Sequence, residues 1–212
     1  MALTTRRILL LGPFCLPGCE ELRPPATVPP AVLAGTPGTG GPLRAAVAAT
    51  AEAFTNQGAG LQGRPAEAAL AIARLEALEM EVADRRAWPA LSPSIGIAMR
   101  TARDETRAAL GVAQRAPGAD VVRALAQVAA RLRAGDRAGA AAALPAGLFE
   151  PGGEATLDRL GALGPLPAAE QATAALARDV RRLDLDRGWA GAGNWWQAGA
   201  PGAITDGLGL GE

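Results

Sequence analysis

The chain has 212 residues, a formal net charge of 0, 49% hydrophobic residues and 3% aromatics, and it contains no Tyr, His or Lys. That length suits one core with tails, and with the charges balanced neither a phosphate-neutralising patch nor a polybasic membrane surface is indicated. Much of the hydrophobic share is Ala, so burial has to come from Leu, Val, Ile and close helix packing. Ala, Leu, Arg and Glu favour helix, while β-branched and aromatic residues are sparse, so the composition predicts an all-α protein. All 21 basic residues are Arg, which reads as GC-rich coding rather than selection for arginine forks.

The first segment carries Arg6 and Arg7, then a nine-residue apolar run, Ile8 to Leu16, then Gly18 before Cys19. This is the layout of an export signal. The run contains Gly12 and Pro13 and falls far short of the roughly 20 residues that a membrane-crossing helix needs. Leu16-Pro17-Gly18-Cys19 resembles the lipobox of bacterial lipoprotein precursors, with Pro17 departing from the usual small or β-branched residue. The resemblance implies a diacylglycerol on the Cys19 thiol, cleavage that discards residues 1–18 as a signal peptide, and acylation of the new amine. Several acyl chains on one residue give stable anchoring, since each buried methylene contributes about 0.8 kcal/mol. The implied location is the bacterial cell envelope, lipid-anchored and facing the periplasm, at the inner or the outer membrane. Thr5-Arg6-Arg7-Ile8-Leu9 also partly resembles a twin-arginine signal. A cytoplasmic protein with an apolar first helix is the other reading, against which Pro13 and Pro17 stand.

Loss of residues 1–18 would leave 19 basic and 21 acidic residues, a net charge of −2. Both cysteines, Cys15 and Cys19, lie in the first nineteen residues, so the helical region has no thiol for a disulfide, a redox pair or a zinc site. Read as a metal pair, they find no His anywhere to complete a coordination shell. No metal and no cofactor is expected.

Residues 19–42 form the lipidated cysteine and a Pro/Gly-rich linker, with prolines at 24, 25, 29, 30, 37 and 42. Such composition favours extended, semi-rigid chain, suited to a tether lifting a domain off a membrane. The glycine-rich Gly35-Thr36-Pro37-Gly38-Thr39-Gly40-Gly41 lacks the lysine and preceding strand of a phosphate loop and reads as linker.

A helical domain is predicted over 43–186. Leu43, Val47, Thr50 and Phe54 share a stripe at helical spacing. A second helix starts at Pro65, with Ile72, Leu75, Leu78 and Val82 inward and Arg74, Glu81 and Arg85 outward. A third follows a cap at Ser92-Pro93-Ser94 and aligns Ile95, Met99, Ala102, Thr106, Ala109 and Ala113. The fourth places Val121, Leu125, Val128 and Leu132 opposite Arg123, Gln127 and Arg131. Gly135-Asp136 ends it, a short Ala-rich helix follows to Leu144, and 145–153 reads as a loop. A short helix around Glu154–Leu163 and a longer one from Pro167 to about Leu185, with Leu176, Val180 and Leu183 aligned, complete the pattern. The stripes predict an antiparallel bundle of about four to six helices. The Leu132–Ala143 turn faintly resembles a helical-repeat junction, but no second copy follows.

Residues 187–212 are a Gly/Trp-rich tail with eight glycines and Trp189, Trp195 and Trp196. Its tryptophans either anchor a partner or fold back on the bundle.

The missing residue types exclude Ser-His-Asp and Cys-His catalysis, Schiff-base lysines and histidine metal sites. Carboxylates remain. Glu76, Glu79, Glu81 and Asp84 crowd the second helix, and Glu79 falls beside the Ile72 and Leu75 side, where desolvation would raise a carboxyl pKa. An envelope-glycan enzyme with Glu79 as its acid would resemble the lytic transglycosylases. Their Glu-Ser pair and tyrosine-bearing motifs are missing, and the plainer account pairs Glu79 with an arginine such as Arg86. No basic stripe with interleaved aromatics points to nucleic acid. The expected function is a non-enzymatic, lipid-anchored envelope protein that scaffolds or binds a protein partner, with no catalytic, cofactor or metal residues and with Cys19 as the lipidation site.

Overall fold

Runs of strong helix formers separated by Pro and Gly fold into helices close to where their periodicity places them. The computed structural model describes Val32, residues 41–83 and residues 88–186. Seven α-helices follow one another there: α1 (Gly41–Ala53), α2 (Pro65–Ala83), α3 (Pro93–Leu110), α4 (Gly118–Arg133), α5 (Arg137–Ala142), α6 (Gly153–Gly161) and α7 (Pro167–Leu185). A 3-10 segment, Thr55–Leu61, joins α1 to α2. The all-α expectation holds. The seven helices fall on the seven stretches that the sequence marks, the short α5 and α6 of 6 and 9 residues included, so the count exceeds four to six only when these two are counted with the longer helices. The segment around Cys19 and the Trp-rich tail lie outside the described residues.

Pro opens α2, α3 and α7, where its missing N–H costs no helical bond. Asp136 caps α5 by accepting the Gly139 N–H at 2.8 Å. The expected Ser92 side-chain cap on α3 does not form. Ser92 Oγ pairs instead with Ser94 Oγ at 2.8 Å, and the Ser92 N–H donates to Asp179 of α7 at 3.0 Å.

The third helix also stops earlier than Ala113, because Gly111 takes a left-handed conformation (φ 70°) just after Leu110. A Cβ at Gly111 would sit 2.7 Å from both Pro151 and Arg159. Val112 then pairs with Phe149 in an isolated antiparallel bridge. The Ala113 N–H donates to Leu148 O at 2.9 Å and the Glu150 N–H to Gly111 O at 2.8 Å. The 145–153 connection is therefore more than a loop, since it delivers the fully buried Phe149 to the core.

The packed pairs run antiparallel. α2 packs most extensively on α4, α3 on α7, and α1 on α7. Gly118, at the start of α4, lies against Glu76 and Met80, in the second half of α2. Asp179 meets Ser92 at one end of α3, while Glu105 meets Ala168 and Ala169 at the other.

Of the expected core residues, Val121, Leu125, Val128, Leu176, Val180 and Leu183 are buried; Leu132 is only partly covered, because it sits at the end of α4 where the packing thins. Buried threonines satisfy their hydroxyls on their own helix, Thr50 to Ala46 O and Thr173 to Ala169 O, each at 2.7 Å.

One helix breaks the one-stripe expectation. α2 buries 12 of its 19 residues, so it lacks a polar back. Ala66, Ala68, Ala69, Ala71, Ala73 and Ala77 let neighbours approach from several sides, as in a helix at the centre of a core. Arg74, expected outward, is half-buried, and its Nε donates to the carbonyl of the buried Val32 at 3.2 Å.

Between α1 and α2 three consecutive residues are left-handed: Asn56, Gln57 and Gly58 at φ 52°, 56° and 77°. At Gln57 this costs about 1–2 kcal/mol, while Asn56 carries a short polar side chain that tolerates the left-handed region. Distant contacts hold them. The Asn56 N–H donates to Glu170 at 3.0 Å and Gln57 O accepts the Leu166 N–H at 2.9 Å, while Gly58 is buried near Phe54, Leu61 and Leu166.

Candidate functional site

Glu79 sits on α2 where it faces α3, and Glu76 sits one turn before it. The two are 4% and 1% exposed. Arg103 and Arg107, four apart on α3, meet them. Arg103 Nη1 donates to Glu79 Oε2 at 2.9 Å. Arg107 grips Glu76 with two donors, Nε to Oε2 at 3.1 Å and Nη2 to Oε1. Its remaining Nη1 donates to Ala116 O at 3.1 Å, just ahead of α4.

Gly118 makes room for this arrangement. A Cβ there would lie 2.9 Å from Met80 Sδ and 3.0 Å from Glu76 Oε1, so the bare backbone lets α4 close over the pair. Burial works against the Arg103 charge, but Glu79 foremost, with Asp104 and Glu76, outweighs it and holds the guanidinium above its ordinary pKa.

This geometry corrects two details of the sequence reading. The partner of Glu79 is Arg103, and Arg86 lies outside the described residues. The more deeply buried carboxylate is Glu76, which the sequence reading left in the acidic crowd. Its signal was present, since Glu76 follows Ile72 by four and shares that stripe. Glu79 lines none of four surface grooves among the described residues.

Other carboxylates are also engaged in the fold. Glu105 accepts the Ala168 and Ala169 N–H groups, at 3.1 and 2.8 Å, at the start of α7. Asp184 accepts from Arg44 Nε at 2.9 and 3.0 Å and clamps the end of α7 to α1. Among the described residues no group of three or more His, Cys, Asp or Glu is placed to hold a metal ion. No helix among them is long and apolar enough to cross a membrane.

Two of the grooves differ in character. One, of about 560 Å³, runs between α1 and α7 over Val47, Ala51, Ala177 and Val180, with the Arg44–Asp184 pair at its end. The other, of about 450 Å³, opens between α1, the 3-10 segment and α2, and carries Arg64, Arg74 and Arg133 together with Glu52 and Glu67. Burial, and then the charge of Arg133, pull the Arg74 guanidinium below its ordinary pKa. The sequence reading missed this arginine group, because Arg133 comes from α4, some 60 residues along the chain.

Comparison of the chain with protein-family profiles, with curated proteins and with solved structures returns no match.

Proposed function

We propose that the chain is a non-enzymatic, lipid-anchored protein of the bacterial cell envelope, held by acylated Cys19, with its helical module acting as a scaffold or binding a protein partner. The observation that carries this reading is the sequence Leu16-Pro17-Gly18-Cys19, placed after Arg6, Arg7 and a nine-residue apolar run and before a proline-rich stretch. The positive start, the apolar run, Gly18 before Cys19 and the proline-rich stretch after it are four features that agree without sharing residues. Two structural observations are consistent with it. Among the described residues the first of the seven helices, α1, starts at Gly41, at the end of the proline-rich stretch. The apolar groove between α1 and α7 has the kind of surface a partner segment could cover.

The test is Cys19→Ala in a bacterial host with lipoprotein-processing machinery, read by intact mass spectrometry and membrane fractionation. Wild type should begin at Cys19 and carry acyl mass. Cys19→Ala should lose acylation and lipoprotein-type cleavage, while Cys15→Ala, inside the discarded signal, should change neither. A mature species that starts elsewhere, or starts at Cys19 without acyl mass, overturns the lipid anchor.

A further inference from the structure

We infer that the groove carrying Arg74 and Arg133 is a binding site for a phosphate-bearing anion. Three observations meet there. Arg74 is half-buried in the wall of a groove of about 450 Å³, and Val32 O holds its Nε at 3.2 Å. A guanidinium has five N–H donors, so this one bond restrains the head at Nε and leaves four donors for a ligand. Arg133, from the end of α4, enters the same groove. Among the described residues neither arginine has a carboxylate within ion-pair distance, although ten other pairings of Arg with Asp or Glu form elsewhere besides Arg64–Glu67.

Two like charges facing one groove repel each other, and a dianion or diester between them would relieve that repulsion while accepting hydrogen bonds from both forks. The two acids of the groove do not fill this role. Glu67 faces Arg64 at 3.9 Å, and Glu52 is exposed on α1. Arg133 has an ordinary task as a cation at a helix C-terminus, and Arg74 one as a staple for Val32. Neither task needs the two to share a groove.

A phospholipid headgroup and free phosphate offer the same chemistry. Val32 lies 13 residues beyond Cys19, and such a chain reaches at most about 45 Å, which keeps the groove within reach of a bilayer if Cys19 is acylated. The lipid source rests on the proposed anchor; the phosphate site itself does not.

The experiment uses the full chain in a phosphate-free maltoside detergent, with the arginine Nε–H signals followed by NMR as inorganic phosphate is added. Saturable shifts of Arg74 and Arg133, with Arg100 and Arg115 unmoved, support the site. Arg133→Gln, which removes no hydrogen bond among the described residues, should weaken binding by at least about tenfold. Arg74→Gln should do the same with its helical circular dichroism unchanged, and Arg74→Lys should restore part of the affinity. No saturable shift at tens of millimolar phosphate, or equal shifts at every exposed arginine, overturns the site.

A second arm places the chain in phosphatidylglycerol nanodiscs without free phosphate. The same two signals shifting there, and reverting in Cys19→Ala, supports the headgroup as source. Shifts with inorganic phosphate alone support a soluble phosphate ligand.

Discussion

Removing the arginine from the Glu76–Arg107 pair should be one of the costlier single changes in this protein. The Glu76 carboxylate is 1% exposed, with two donors from Arg107 on it and Met80 and Gly118 packed alongside. Arg107→Met keeps most of the side-chain volume but strands that carboxylate and frees Ala116 O. Breaking a buried pair from one side costs about 3–5 kcal/mol, because the remaining charge has lost its partner and cannot regain water. Against a total stability of about 5–15 kcal/mol, such a loss removes a large fraction. The double variant Glu76→Leu with Arg107→Met should recover most of it, and buried pairs replaced by apolar groups sometimes gain about 1–4 kcal/mol. Arg123→Met, which breaks a pair with Asp120 whose side chains are 52% and 44% exposed, should cost no more than about 1 kcal/mol. Urea denaturation followed by far-ultraviolet circular dichroism measures all three, with an unchanged slope showing that the same surface unfolds. If Arg107→Met stays within about 0.5 kcal/mol of wild type, or the double variant is as damaged as the single, the argument from burial is wrong.

Leu125→Ala empties a fully buried position on α4 and should cost about 2–5 kcal/mol in the same assay; a loss below about 0.5 kcal/mol would contradict its burial. Asp136 is held below the usual carboxylate range, first by the Gly139 N–H and then by Arg131. Its stabilising effect on α5 is therefore present at neutral pH and lost as pH falls through that lowered value. The protection factor of the Gly139 amide, its exchange rate corrected for the intrinsic slowing of exchange in acid, should fall as Asp136 is protonated, and Asp136→Asn should weaken this pH dependence.

The helices were readable because helical spacing survives in local sequence. Val121, Leu125 and Val128 announce α4 without reference to anything else, and Pro65, Pro93 and Pro167 mark three starts. What failed depends on distant partners. Asn56 and Gln57 adopt left-handed φ values, which the Gln57 side chain disfavours, and the groups that hold them, Glu170 and Leu166, lie more than 100 residues away. Phe149 looked like part of a loop because its partner is Val112, beyond the end of another helix. Arg74 and Arg133 could not be joined by spacing along one helix, since they come from two.

The acidic crowd on α2 shows how far a helical wheel goes. It put Glu79 beside the apolar stripe, and the same spacing applied to Ile72 would have added Glu76. It could not name the cations, because Arg103 and Arg107 belong to α3. Once both helices are in place, the four charges fix their register. The antiparallel pair sets Glu76 against Arg107 and Glu79 against Arg103. A slip of one turn, about 5.4 Å, in one direction would pair Glu79 with Arg107 and leave Glu76 opposite Leu110. The opposite slip would put Arg107 against the buried Ile72. Each strands a charge among apolar groups at a cost of about 3–5 kcal/mol. Ala-rich faces such as those of α2 discriminate poorly between registers, because their knobs are small and alike. The buried ion pairs supply the discrimination that the alanines cannot.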